Sequence, residues 1–79
     1  MTPVEEMVAF VVGRLVQHPD GVSVGTVESE DGPRIQLKVH GDDMGRVIGR
    51  GGRTARALRT LVSTASGKAG SPVMLDILD

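Results

Sequence analysis

The sequence predicts an α+β domain in the order α-β-β-α-α-β, a three-stranded mixed sheet with three helices on one face. Three observations carry this reading. Residues 3–17 repeat apolar side chains at helical spacing behind a capping box. Residues 34–40 alternate polar and apolar without a fault. A glycine run at 49–52 separates two further helical segments. With 79 residues the chain is expected to form one domain spanning 1–79, small enough that its stability is modest.

The elements follow in order. Thr2-Pro3-Val4-Glu5 is a capping box with proline at the first helical position. Val4, Met7, Val8, Val11 and Leu15 form one apolar stripe, widened by Val12 and Val16. His18-Pro19-Asp20-Gly21 ends this helix, because proline disfavours helical geometry in the residue before it. Val22 to Val27 is short, β-branched and strand-like. Asp31-Gly32-Pro33 marks a turn, and Arg34 to His40 is the half-buried partner strand of a hairpin. Gly41-Asp42-Asp43 breaks that strand, and either aspartate can cap a short helix over Met44–Ile48. After the glycines a longer helix takes Arg53 to about Ser66, with Ala55, Leu58, Leu61, Val62 and Ala65 turned inward and Gly67 as its stop. Residues 68–71 read as a loop. Pro72 opens a last strand over Val73–Leu78. Neither repeats nor low-complexity segments occur.

Composition narrows the function. There is no cysteine, which excludes disulfides and thiolate metal sites and suits a reducing compartment. Glu5 and Glu6 stand where a secretory leader carries basic residues, and no apolar run approaches the roughly 20 residues of a membrane span. A cytoplasmic protein without membrane contact is the expectation. The net charge of -1 conceals a division. Residues 41–70 carry six basic side chains against two acidic ones, and the remainder carries three against eight. A basic segment in an acidic chain points to a local polyanion site.

Gly49-Arg50-Gly51-Gly52 lies at the centre of that basic segment. Glycine permits the positive dihedrals of a sharp helix-to-helix turn and lets another backbone approach. The helix starting at Arg53 directs unpaired N–H groups and its positive dipole end toward the loop, where phosphate is the natural occupant. A Walker loop fails, because its first glycine falls on Val47 and Arg53 replaces its lysine. A dinucleotide fingerprint fails as well, because these glycines join two helices instead of a strand and a helix. His18 reads as a turn residue and His40 as a strand end; Asp42 and Asp43 read as caps. No catalytic residue, metal cluster or cofactor is expected. Phe10 is the only aromatic, so the stacking platforms of RRM or OB domains are excluded. It lies off the apolar stripe of its helix, with two readings open: a ring folded over a sheet edge, or an exposed contact for a second chain.

Val47-Ile48-Gly49-Arg50-Gly51-Gly52 resembles the V-I-G-x-x-G signature of KH domains, and the element order resembles their type II arrangement. The chain is similar over nearly its whole length to the bacterial single-KH proteins of the KhpA family. His18-Pro19-Asp20, Asp43 to Gly49 and Arg56 to Val62 carry that similarity. The resemblance implies a loop that clamps the backbone of about four nucleotides of single-stranded RNA. Carried over by position, Gly49 and Gly52 are the fixed loop ends, and Arg50 and Gly51 are the variable pair facing phosphate. Ile48 then lines an apolar groove beside the bases. The variable pair of the family often carries more charge, so Arg46 and Arg53 take a larger share here. Arg46, Val47, Ile48, Gly49, Arg50, Gly51, Gly52, Arg53 and Arg56 make up the expected RNA-binding set. Arg59 reads as a solvated surface residue. The role of Lys68, in the loop that varies among type II domains, stays open.

The resemblance further implies an RNA chaperone or post-transcriptional regulator. It implies self-association, or pairing with a second KH protein of the KhpB (Jag) kind, and a link to envelope and division control. Alternatives are a protein-interaction subunit with little RNA binding of its own, a ribosome-associated factor, and a single-stranded DNA binder.

Overall fold

The computed structural model describes every residue except Ala69 and Ser71. Helix α1 spans Pro3–Leu15, strand β1 Ser23–Ser29, strand β2 Gly32–Lys38, helix α2 Met44–Ile48, helix α3 Arg53–Lys68 and strand β3 Met74–Leu78. Short 3₁₀ turns occupy Pro19–Gly21, Gly41–Asp43 and Arg50–Gly52. The sheet runs β1-β2-β3, with β2 antiparallel to β1 and parallel to β3. This is the mixed three-stranded sheet that the sequence predicts.

The capping box forms as expected: the Thr2 hydroxyl accepts from Glu5 N–H at 3.2 Å, and Glu5 Oε1 accepts from Thr2 N–H at 2.7 Å. Glu5 does more than cap. Its side chain is buried, and Oε2 accepts from the Thr26 hydroxyl at 2.9 Å, fastening α1 to β1. The Thr2 amide, then the Thr26 hydroxyl, hold its carboxyl below the ordinary range.

The core is aliphatic. Val8 and Val12 of α1, Ile35 and Leu37 of β2, Val39, Val47 of α2, Leu58 and Val62 of α3 and Leu75 of β3 pack into one cluster. Each such side chain contributes about 1.5–3 kcal/mol on burial. The inward residues of β2 obey the predicted alternation. Just before Ile35, on the opposite face of the strand, Arg34 donates to both carboxylate oxygens of Asp76, at 2.8 and 2.6 Å, binding β2 to β3. The Arg34 hydrogen bonds keep Asp76 below its usual carboxylate range.

Several boundaries differ from the sequence reading, each for a physical reason. Helix α1 ends at Leu15 instead of residue 17, because Gln17 and His18 N–H donate to the two carboxylate oxygens of Asp43, both at 3.0 Å. Asp43 therefore makes no cap hydrogen bond to α2. The turn before α2 is capped instead by His40, whose Nδ1 accepts from Asp42 N–H at 3.1 Å. Strand β2 starts two residues early and ends at Lys38, although Val39 N–H still donates to the Leu78 carbonyl at 3.0 Å. Strand β1 begins at Ser23 and β3 at Met74.

Helix α3 passes through Gly67 to Lys68, so Gly67 is no stop and Lys68 is helical; Ala69 and Ser71 of the expected loop lie outside the described residues. Ser66 is buried there, donating to the Val62 carbonyl at 2.6 Å and accepting from Val73 N–H at 2.9 Å. Leu61, expected inside, is 45% exposed. Phe10 is 67% exposed, which removes the reading in which its ring folds over a sheet edge. Among the described residues no helix is long and apolar enough to cross a membrane.

Candidate nucleic-acid interface

Helix α2, the glycine turn and the start of α3 form one continuous ridge, and α2 is held from below. Val47 is wholly buried in the core and Asp43 is wholly buried beside it. Val47 therefore anchors the turn and presents no side chain to a ligand, a correction to its place in the expected binding set. Burial pushes the Asp43 carboxyl up, but the Gln17 and His18 amides, with the Arg46 guanidinium at 3.8 Å, bring it below its ordinary value. Arg46 is thus partly committed to a neighbour inside the protein. Ile48, the last residue of α2, is half-buried beside the turn.

Three glycines of the turn have positive φ, and Gly49 and Gly51 differ sharply in what surrounds them. Gly49 has φ +77°, and a Cβ there would collide with Thr54: it would meet the hydroxyl oxygen and lie 2.9 Å from the Thr54 backbone nitrogen. No side chain fits. Gly51 has φ 64° and ψ 18°, the left-handed helical region, with open space where a Cβ would project. Gly52 N–H returns to the Gly49 carbonyl at 3.1 Å and closes the turn. Among the described residues, the N–H groups of Arg50 and Gly51 have no hydrogen-bond partner. They sit where the dipole of the 16-residue α3 is positive.

Around these amides the charge is basic. Arg50, Arg53 and Arg56 are all exposed. Arg53 and Arg56 border an open groove of about 510 Å³ that also takes in Ala57, Thr60 and Leu61. The arrangement sets guanidinium groups beside aliphatic surface, which suits a phosphate backbone with sugars or bases next to it. Arg59 stands apart: its Nε donates to the Leu75 carbonyl at 3.4 Å, so it leans on β3 instead of standing free in solvent.

Arg50, Arg53, Arg56 and the loop glycines thus lie together around the turn, while the Val47 side chain faces the core. Sequence reasoning missed Ala57, Thr60 and Leu61. At about 100° per residue, Leu61 lies roughly 100° from the centre of the arc formed by Ala55, Leu58, Val62 and Ser66. Ser66 completes that arc, and a serine gives an apolar pattern no signal of it. It also missed the meeting of His18 and His40, whose rings stack with centroids 4.2 Å apart.

Residues 5–77 match the profile of a protein family described as KhpA/KhpB, KH domain. The chain belongs to this family. Its order of elements and mixed sheet agree with the type II KH fold that the sequence resemblance implies. A relative from Halalkalibacterium halodurans, named RNA-binding protein KhpA, is 47% identical over 73 residues, covering 92% of this chain and 96% of its own. One of the same name from Mycobacterium leprae is 46% identical over 78 residues, covering 99% and 94%. Another from Borreliella burgdorferi is 40% identical over 74 residues, covering 94% and 90%. No solved structure matches the chain significantly.

Proposed function

We propose that this KH-domain chain binds single-stranded RNA, gripping the backbone at Gly49–Gly52 and acting as a small RNA chaperone or post-transcriptional regulator. The observation that carries the reading is the pair of unpartnered amides at Arg50 and Gly51, at the positive end of α3 and ringed by exposed arginines. Its family membership and the name shared by its relatives support the choice of RNA. Arg50 and the two amides take phosphate, Arg53 and Arg56 extend the basic track, and Ile48 offers an aliphatic wall. Aliphatic contacts discriminate bases poorly, so affinity in the micromolar range with weak sequence preference is expected. The function requires no catalytic step.

Salt dependence tests the clamp. Each phosphate neutralised on a single strand contributes a slope of about -0.7 on logarithmic axes. Arg50, Arg53 and Arg56, with a partial share from Arg46, predict a slope of roughly -2 to -3. A labelled oligonucleotide titrated across a salt series reads it out. A flat response contradicts the proposal.

A second chain is part of the reading, either another copy or a second KH protein of the KhpB (Jag) kind. Two exposed apolar side chains favour it, Phe10 on α1 and Leu61 on α3. Leu61 shares its groove with Arg53 and Arg56, so pairing there competes with RNA, whereas Phe10 lies on a separate helix. Sedimentation of Phe10→Asp and Leu61→Asp separates the two faces. The variant that lowers the sedimentation coefficient marks the interface; wild-type behaviour of both removes these faces from self-association.

A further inference from the structure

We propose that His18, His40 and Asp42 form a binding site for a borderline divalent transition-metal ion, with zinc as its natural probe. Two segments meet here: His18 follows α1, and His40 and Asp42 stand two residues apart between β2 and α2. One ligand atom from each lies within 4.8 Å of the others. Asp42 Oδ2 is 3.9 Å from His18 Nε2 and 3.7 Å from His40 Nδ1.

The donor set decides the class of ion. Two imidazoles and one carboxylate suit zinc, nickel, cobalt or copper; magnesium and calcium prefer all-oxygen sites. Zinc binds such ligands at about 2.0–2.2 Å, which places tetrahedral donor atoms a little over 3 Å apart. The two distances to Asp42 exceed that by roughly half an ångström, and the two imidazole nitrogens lie within 4.8 Å of each other. Rotation of the side chains closes the gap, because those of His18, His40 and Asp42 are 43%, 48% and 76% exposed.

The backbones beneath these side chains are fixed. Asp43 holds the His18 N–H at 3.0 Å. Gly21 lies so close to His40 that a Cβ there would come within 3.1 Å of the His40 Cβ. The two rings already stack at an interplanar angle of 24°. The backbone is thus in place before an ion arrives, and the side chains turn to meet it. One bond is exchanged: an ion on His40 Nδ1 replaces the Asp42 amide, which now donates to that nitrogen at 3.1 Å. Imidazole ligates in its neutral form, so ion and proton compete for the same nitrogens. With three protein ligands, a fourth position remains for water or an anion. The bound ion fastens the end of α1 to the entry of α2, directly ahead of the glycine turn, and stabilises the fold by mass action.

The test is calorimetric titration of tag-free protein with zinc chloride, alongside thermal melts and histidine ring proton spectra. Wild type should bind one ion with micromolar affinity, shift the ring signals of His18 and His40 together, and melt higher in saturating zinc. His18→Ala and Asp42→Ala should lose the saturable heat and the melting shift while staying folded, since neither side chain serves the core. His40→Asn keeps an acceptor for the Asp42 amide and removes a ligand, so it should behave likewise. Zinc binding that survives in all three variants overturns the site. So does its absence from wild type, or an equal response to magnesium.

Discussion

Replacing Asp43 by alanine is expected to lower the melting temperature by roughly 10–20 °C. The carboxylate is wholly buried and accepts the Gln17 and His18 N–H groups, residues 26 and 25 positions away. Removing it leaves two partly buried N–H donors without their acceptor and a void where the buried carboxylate stood, and an unmade hydrogen bond costs more than a made one contributes. It also releases the chain reversal after α1 from the start of α2, so the loop above loses its footing. Asp43→Asn keeps one acceptor oxygen but points an NH₂ group at the other amide, and should fall between alanine and wild type. Thermal unfolding by circular dichroism orders the three. An alanine variant melting within about 2 °C of wild type would show that the tether contributes little.

The same carboxylate gives the fold an acid limit. Asp43, Asp76 and Glu5 all have carboxyls held below their ordinary values. Each contributes stability that is fully present above the unfolded carboxylate range, about pH 4, and is lost as pH falls through the lower folded value. Stability should thus be flat above about pH 5 and decline below about pH 4. Asp43→Ala should show a shallower decline.

Gly49→Ala is expected to damage both stability and RNA binding, and Gly51→Ala to cost less stability and leave binding nearly intact. At Gly49 a Cβ meets the side chain and the backbone nitrogen of Thr54, and the latter cannot swing aside. The dihedrals, φ 77° and ψ 171°, add strain of about 1–3 kcal/mol for any residue with a side chain. The turn must move, which displaces the Arg50 and Gly51 amides from the end of α3. Loss of one or two charge-assisted hydrogen bonds weakens binding by about tenfold or more. Gly51 has open space around it and left-handed helical dihedrals, which cost a side chain about 1–2 kcal/mol. Equal behaviour of the two variants in melts and titrations would show that Gly49 is not required by geometry.

What the sequence made legible was local. Thr2 and Glu5 announce a helix start within four residues, and Ile35, Leu37 and Val39 announce a strand face. Gly49 to Gly52 announce a turn because positive dihedrals leave glycine as the residue of choice. What stayed hidden depends on partners far along the chain. Asp43 looks like a cap because a cap is what a nearby sequence can explain; its true partners lie 25 and 26 residues back. Ser66 looks solvent-facing until the Val62 carbonyl and Val73 amide are seen to satisfy its hydroxyl. The buried arc of α3 runs through Ser66, and Leu61 falls outside it. His18 and His40 look like two unrelated residues until β2 returns beneath the end of α1.

The central claim is that the glycine turn holds RNA phosphate, and one comparison tests it most directly. Fluorescence anisotropy of a labelled single-stranded RNA is measured with wild type and with the double variant Arg50→Asp, Gly51→Asp. Position 51 tolerates aspartate better than most residues, because its dihedrals are left-handed helical and its surroundings open. Circular dichroism verifies that the variant is folded. Two carboxylates where phosphate should sit are predicted to weaken binding by at least about tenfold. A folded double variant that binds RNA as tightly as wild type would contradict the account and move the RNA contact, if any, away from the turn.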